Sequence, residues 1–179
     1  MKLRGKVWKF ADGIGAMDIL PARYDKQGMS RQWKECAKHL FEDVAPGVAE
    51  KIAPGDILVA GTGFGTGHAH YYTAAIMGSV EAGLSAYLVE GIGGLFQRGS
   101  IDFGMPACVV PGITRLVEHG DKLEVDLAAG HAINITSGAA IDFVPVSPLI
   151  LDILTAGGSR NWAMGRIGAL PVESRKETA

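Results

Sequence analysis

Four glycines at every second position, Gly61, Gly63, Gly65 and Gly67, separate the apolar run Ile57-Leu58-Val59-Ala60 from the pair His68 and His70. Four consecutive apolar residues closed by glycine read as a short strand buried on both faces. Beyond the glycines, Tyr72, Ala75, Ile76 and Val80 recur at helical spacing, which predicts a helix over about 68–82 that Gly83 stops. Ser85-Ala86-Tyr87-Leu88-Val89 is a second buried strand. Strand, helix and strand within about thirty residues form a βαβ unit with a parallel pair, and this places the chain in the α/β class.

The flanking sequence extends the same alternation. A strand over 7–10 precedes the unit, and a helix near 92–98 and a strand over 107–110 follow it. Between the first strand and the unit, Ser30 reads as the cap of a helix over 31–42, and 48–52 as a further short helix. From residue 122 the pattern switches to period two. Residues 122–127, 132–136 and 141–144 alternate polar and apolar, with turns at Gly130 and Ser137-Gly138, and read as an antiparallel meander. Ser147 or Pro148 opens a last helix over 149–156, which Gly157-Gly158 ends. The expected architecture is a small parallel βαβ core, an antiparallel β meander and a closing helix, in one domain over 1–170 with a loose polar tail over 171–179.

The composition excludes several functions. A net charge of −2 offers no footprint for nucleic acid or an anionic membrane surface. No apolar run approaches the ~18–20 residues that span a bilayer, and the basic start of the chain does not lead into an apolar signal core. A cytoplasmic location is the expectation. The two cysteines, Cys36 and Cys108, lie far apart with no C-x-x-C pair. They cannot supply the three or four soft ligands of a structural zinc or an iron–sulfur cluster.

The glycine–histidine stretch matches no nucleotide motif. Counted from Gly61 the sixth residue is Thr66, and from Gly63 it is His68, so G-x-G-x-x-G fails; no Gly-Lys-Ser/Thr follows for a phosphate loop. A loop between a strand and a helix start still favours a carboxylate or phosphate through its backbone N–H groups. His68 and His70 would share a metal on a strand, but inside a helix they point about 200° apart, and no acidic or thiol third ligand follows. Histidines simply exposed or packed at a helix start are the plainer alternative.

Taken together, the segments resemble a known family. Lys6-Val7-Trp8-Lys9-Phe10, Asp12-Gly13-Ile14, Ile19-Leu20-Pro21-Ala22-Arg23-Tyr24, Gly55-Asp56-Ile57-Leu58-Val59-Ala60-Gly61 and Phe64-Gly65-x-Gly67 stand in the family's order. Leu95-Phe96-Gln97-Arg98, Gly104-Met105-Pro106, Gly120-Asp121-x-Leu123-Glu124-Val125-Asp126-Leu127 and Ile153-Leu154-x-Ala156-Gly157-Gly158 follow. No piece is specific alone, but their order over residues 5–158 is. The chain resembles the small subunit of isopropylmalate dehydratase, the swivelling domain of the aconitase superfamily, with its β/β/α layers.

The resemblance implies a hydro-lyase that dehydrates and rehydrates a hydroxy carboxylic acid on a 4Fe-4S cluster held by a separate large subunit, with no cofactor on this chain. It implies that the loop Gly65-Thr66-Gly67 touches substrate. In the family Ser-Ser-Arg follows that loop: one serine acts as general base and the arginine clamps a carboxylate. Here the matching positions are His68, Ala69 and His70. The family's Thr and Asp near the first turn are missing from Gly13-Ile14-Gly15-Ala16-Met17, and an arginine and an asparagine have become Gly94 and Gly99, while Arg98 persists. An imidazole, with an ordinary pKa of about 6.5, takes a proton at neutral pH without the activation a serine needs. His68 and His70 are therefore the candidate catalytic residues, and Arg23, Lys26 and Arg98 further substrate contacts; Arg23 has a second reading as a structural anchor. The segment after Tyr24, which in relatives selects the substrate, reads Asp25-Lys26-Gln27-Gly28, and two charges there suit a polar substituent better than an isopropyl group. The alternative is a catalytically silent capping subunit of the same fold. His119 and His131 read as surface residues in turns.

Overall fold

The computed structural model describes residues 1–68 and 72–168. Seven strands, β1 (Lys2–Lys9), β2 (Ile57–Ala60), β3 (Ala86–Val89), β4 (Ala107–Val109), β5 (Lys122–Asp126), β6 (His131–Asn134) and β7 (Ala140–Asp142), form one sheet in the order β4-β3-β2-β1-β5-β6-β7. The expected parallel core and antiparallel meander are both present, and β1 joins them. Its C-terminal half runs parallel to β2, pairing Val7 with Ile57 and Lys9 with Val59. Its N-terminal half runs antiparallel to β5, pairing Lys2 with Asp126 and Lys6 with Lys122.

Helices α1 (Ala16–Ile19), α2 (Asp25–Met29) and α3 (Trp33–Lys38) occupy the long connection from β1 to β2. Helix α4 (Tyr72–Ala82) crosses from β2 to β3, and α5 (Gly94–Asp102) from β3 to β4. After β4 come α6 (Ile113–Leu116), α7 (Pro148–Thr155) and α8 (Ser159–Arg166). The central strands alternate between two cores, as period-two geometry requires. Leu58 and Ala60 of β2 pack with Tyr87, Val89, Phe96 and Ile76 on the face covered by α1, α3, α4 and α5. Ile57 and Val59 pack with Leu88, Val110, Leu123 and Leu154 on the opposite face.

Most elements stand where their sequence places them. Helix α4 stops at Gly83, whose φ of +104° lets Leu84 N–H reach the Ser79 carbonyl and Gly83 N–H the Val80 carbonyl. Ser147 caps α7, its hydroxyl accepting from Ile150 N–H at 3.5 Å with Pro148 in the first turn. Three expectations need correction. Ser30 does not cap α3 but closes α2, its N–H donating to the Lys26 carbonyl; Arg31 adopts φ +57°, which breaks the chain before α3, so that helix starts at Trp33 and is only six residues long. The segment after Tyr24 forms the short helix α2. Gly157-Gly158 does end the helix over 149–156, but that helix is not the last, because α8 starts directly after it. His131 belongs to β6, where its Nδ1 meets Asp142 Oδ1 at 2.6 Å. The segment 171–179 lies outside the described residues. Among the described residues no helix is long and apolar enough to cross a membrane.

Candidate active site

Strands β3, β2 and β1 are neighbours and parallel, so the loops leaving their carboxyl ends, 90–93, 61–68 and 10–15, meet at one end of the sheet, where α/β folds bind ligands. The middle loop is knitted to both others. Asp12 Oδ1 accepts from Thr62 N–H at 2.6 Å and from the Thr62 hydroxyl at 3.0 Å. Gly61 has to be glycine here, since a Cβ would stand 1.9 Å from that same oxygen. Gly13 N–H donates to Thr62 O at 2.7 Å, Gly65 N–H to Ile14 O at 2.8 Å and Ala16 N–H to Thr66 O at 2.8 Å. On the other side Phe64 bridges Ile92, donating to Gly91 O and accepting from Gly93 N–H.

Gly65 lies buried beneath Phe96 with φ +64°; a Cβ there would be 2.3 Å from Phe96 Cγ. Phe96 in turn packs edge-on against Phe64 at 5.6 Å and Tyr72 at 5.3 Å. Thr66 is exposed, its hydroxyl donating to Gly63 O at 3.0 Å. Gly67 is exposed with φ +109°, and its carbonyl accepts from the Tyr72 hydroxyl at 2.9 Å. His68 is exposed and is the last described residue before α4, whose first described residue is Tyr72. His70 lies outside the described residues.

The other candidates stand elsewhere. Arg98 is exposed in the middle of α5, one turn beyond Gly94. Lys26 is exposed on α2, which packs closely on the first turn of α4 where Gly28 faces Ala74: a Cβ on Gly28 would be 2.6 Å from that of Ala74. Arg23, just before α2, holds Asp43 with both terminal nitrogens, at 2.9 and 2.7 Å, and Glu42 at 2.9 Å. Glu42 also accepts from the Tyr24 hydroxyl at 2.7 Å and meets His39 Nδ1 at 2.8 Å, and the Tyr24 and His39 rings stack 3.8 Å apart. These partners, Tyr24 first and then Arg23, hold the Glu42 carboxyl down at about 2. A carboxylate so lowered contributes stability above its ordinary 4.5 that is lost as pH falls toward 2. Glu42→Gln is therefore expected to lower Tm at neutral pH, with the difference vanishing as pH drops through that window and shrinking in high salt, because the group is exposed. Thermal melts of both proteins across pH 2–7 measure it; a pH-independent difference would refute the charge pairing.

Sequence reasoning passed over Asp12, which organises the loop junction, and Tyr72, which had the look of an ordinary core aromatic. Glu90, at the end of β3, was also missed. Burial pushes its carboxyl up, but hydrogen bonds from Gly112 N–H at 2.6 Å and from Thr114 hold it below the usual range. Acidic residues in turns carry no pattern that reveals such partners.

The residues present do not fit an iron–sulfur cluster. Cys36 packs on one face of the sheet and Cys108 on the other. Burial raises both thiols, Cys108 to about 11, which disfavours the thiolate a metal needs. Among the described residues no group of three or more His, Cys, Asp or Glu is placed to hold a metal ion. An apolar cavity of 320 Å³ lined by Gln97, Ile101, Cys108, Val109, Val146 and Ile150, among others, includes no residue of the three loops.

No protein-family model matches the chain. Its relatives do decide the family. It is 34% identical over 167 residues to the 3-isopropylmalate dehydratase small subunit of Thermodesulfovibrio yellowstonii, covering 93% of this chain and 96% of that protein. The chain belongs to the 3-isopropylmalate dehydratase small-subunit family. It is thus a subunit of an aconitase-type hydro-lyase. It is also 37% identical over 158 residues to the 3-isopropylmalate dehydratase small subunit 2 of Archaeoglobus fulgidus, covering 88% of this chain and 92% of that one. The isopropylmalate/citramalate isomerase small subunit of Methanocaldococcus jannaschii is 34% identical over 87% of this chain and 90% of its own length. The fold matches the crystal structure of 3-isopropylmalate dehydratase from Methanocaldococcus jannaschii with a TM-score of 0.83 at 25% identity, over 93% of this chain and 96% of that one. Small subunits of this family are thus built on the arrangement seen here.

Proposed function

We propose that this chain is the small subunit of a heteromeric hydro-lyase acting on a hydroxy carboxylic acid other than isopropylmalate, with a 4Fe-4S cluster carried by a separate large subunit. The observation that carries this is the presentation of His68: the loop 61–68 is fixed to its two neighbours, and it ends in an exposed imidazole where the family has its basic serine. In this reading His68 moves the proton of the reacting carbon. Gly65, Thr66 and Gly67 line the substrate's path. His70, in the family's arginine position, binds a substrate carboxylate when protonated, a weaker hold than a permanent bidentate guanidinium. In this reading the large subunit covers this end of the sheet, and the exposed Arg98 of α5 is a further substrate contact. Both cysteines serve packing, which is why the cluster is assigned to the partner.

Lys26 is the residue assigned to the choice of substrate. Its helix packs on the start of α4, so a side chain there reads a part of the substrate remote from the reacting carbon. Arg23, with its guanidinium taken up by Asp43 and Glu42, anchors that segment. The test is kcat/KM of the assembled enzyme for a panel of hydroxy acids that differ in one substituent, with and without Lys26→Ala. The expected result is a changed order of preference, the loss concentrated on substrates with polar or anionic substituents and kcat largely kept. Equal effects across the panel would remove α2 from the substrate contacts.

A further inference from the structure

From these contacts we infer that Tyr72 is a positioning residue for His68, acting through the Gly67 carbonyl; the inference rests on the proton-transfer role proposed for His68. The first part of the glycine loop is held several times over: Thr62 by Asp12, Phe64 by the 91–93 backbone, Gly65 by Ile14 and Phe96, and Thr66 by Ala16. Gly67 has no side chain, its φ is +109°, and among the described residues no heavy atom lies within 4 Å of where a Cβ would stand. The Gly67 carbonyl is instead gripped by the Tyr72 hydroxyl at 2.9 Å.

That grip has consequences for His68 because a peptide unit is planar. The Gly67 carbonyl and the His68 N–H belong to one plane, so holding the oxygen restrains the peptide unit from which His68 leaves the backbone. The hydroxyl is itself rigidly mounted. The Tyr72 ring meets Phe96 edge-on at 5.3 Å and 81°, and Phe96, fully buried, packs against Phe64 and Tyr87. A chain of aromatic contacts therefore runs from the core to the last glycine before His68. A base must sit within hydrogen-bond reach of the proton it takes, and small misplacements are costly.

The conservative variant Tyr72→Phe keeps the ring and removes only the donor. In the assembled enzyme kcat is expected to fall about tenfold or more while KM stays within about twofold, and Tyr72→Ala to fall further. In the full chain alone, ¹⁵N relaxation is expected to show the Gly67 and His68 amides losing order in Tyr72→Phe while Phe64 and Gly65 keep theirs. A merely structural tyrosine would lower Tm and leave kcat and the loop amides unchanged, which would overturn the inference. His68→Ala in the same assay separates the two layers. If it is slow and Tyr72→Phe runs at the wild-type rate, Tyr72 does not position the base and the role of His68 stands. If His68→Ala is fully active, the proton-transfer role falls and the positioning inference with it.

Discussion

His68→Ala lowers kcat of the assembled enzyme by about 10²–10⁴, the range for loss of a general acid or base, with a small change in KM. The expectation follows from where the residue stands. The carboxyl ends of β1, β2 and β3 bring three loops together, and the middle one is tied to its neighbours by hydrogen bonds through Asp12, Ile14, Ala16 and Gly91. Its last described residue is the exposed His68. Removing the imidazole leaves this backbone untouched, so stability is expected to hold while the chemistry fails. His70→Ala is expected to raise KM more than it lowers kcat, and His70→Arg to recover binding by restoring a permanent charge. Steady-state kinetics on the three variants check this, and full activity in both alanine variants would leave the chain a capping subunit.

Gly65→Ala is expected to be strongly destabilising. Its Cβ would overlap the Phe96 ring at 2.3 Å, and Phe96 is boxed in by Phe64, Tyr72 and Tyr87. Overpacking of about 1–3 kcal/mol adds to about 1–2 kcal/mol for an L-residue held at a left-handed φ, giving a loss of about 2–5 kcal/mol. Urea unfolding measures it. Adding Phe96→Leu is expected to relieve the overpacking and leave the backbone strain, so the double variant should be more stable than the two single losses summed. Strict additivity would show that Gly65 and Phe96 do not press on one another.

Much of the fold was legible because it rests on local pattern. Ile57 to Ala60 and Ala86 to Val89 are buried on both faces, so they read as unbroken apolar runs; residues 122–126 alternate because only one of their faces is buried. What escaped depends on partners distant in sequence. Nothing near Ser30 announces that Arg31 will turn left-handed, or that Phe41, at φ +59°, will give its N–H to Ile19 O and halt the chain after α3. The corner at Gly157-Gly158 continues into α8 because Gly158 fits against the Asp102 carbonyl, where a Cβ would be 2.3 Å away. The same divide runs through the site. The glycine loop and His68 stand out as a string of residues. Asp12 is fifty positions from Thr62, and the Tyr72 hydroxyl matters only because the chain folds back on Gly67. Arg23 shows the limit from the other side: as a free cation it is a natural carboxylate binder, and only the fold reveals Glu42 and Asp43 beside it.

The most direct measurement is hydration and dehydration of a hydroxy-acid panel by three samples, the purified chain, the proposed large subunit and the two mixed, with iron and labile sulfide determined on each. Activity only in the mixture, with iron and sulfide confined to the large subunit and isopropylmalate a poor substrate, is the expected result. Turnover by the chain alone, or stoichiometric iron and sulfide bound to it, would contradict the division of labour proposed between the two subunits.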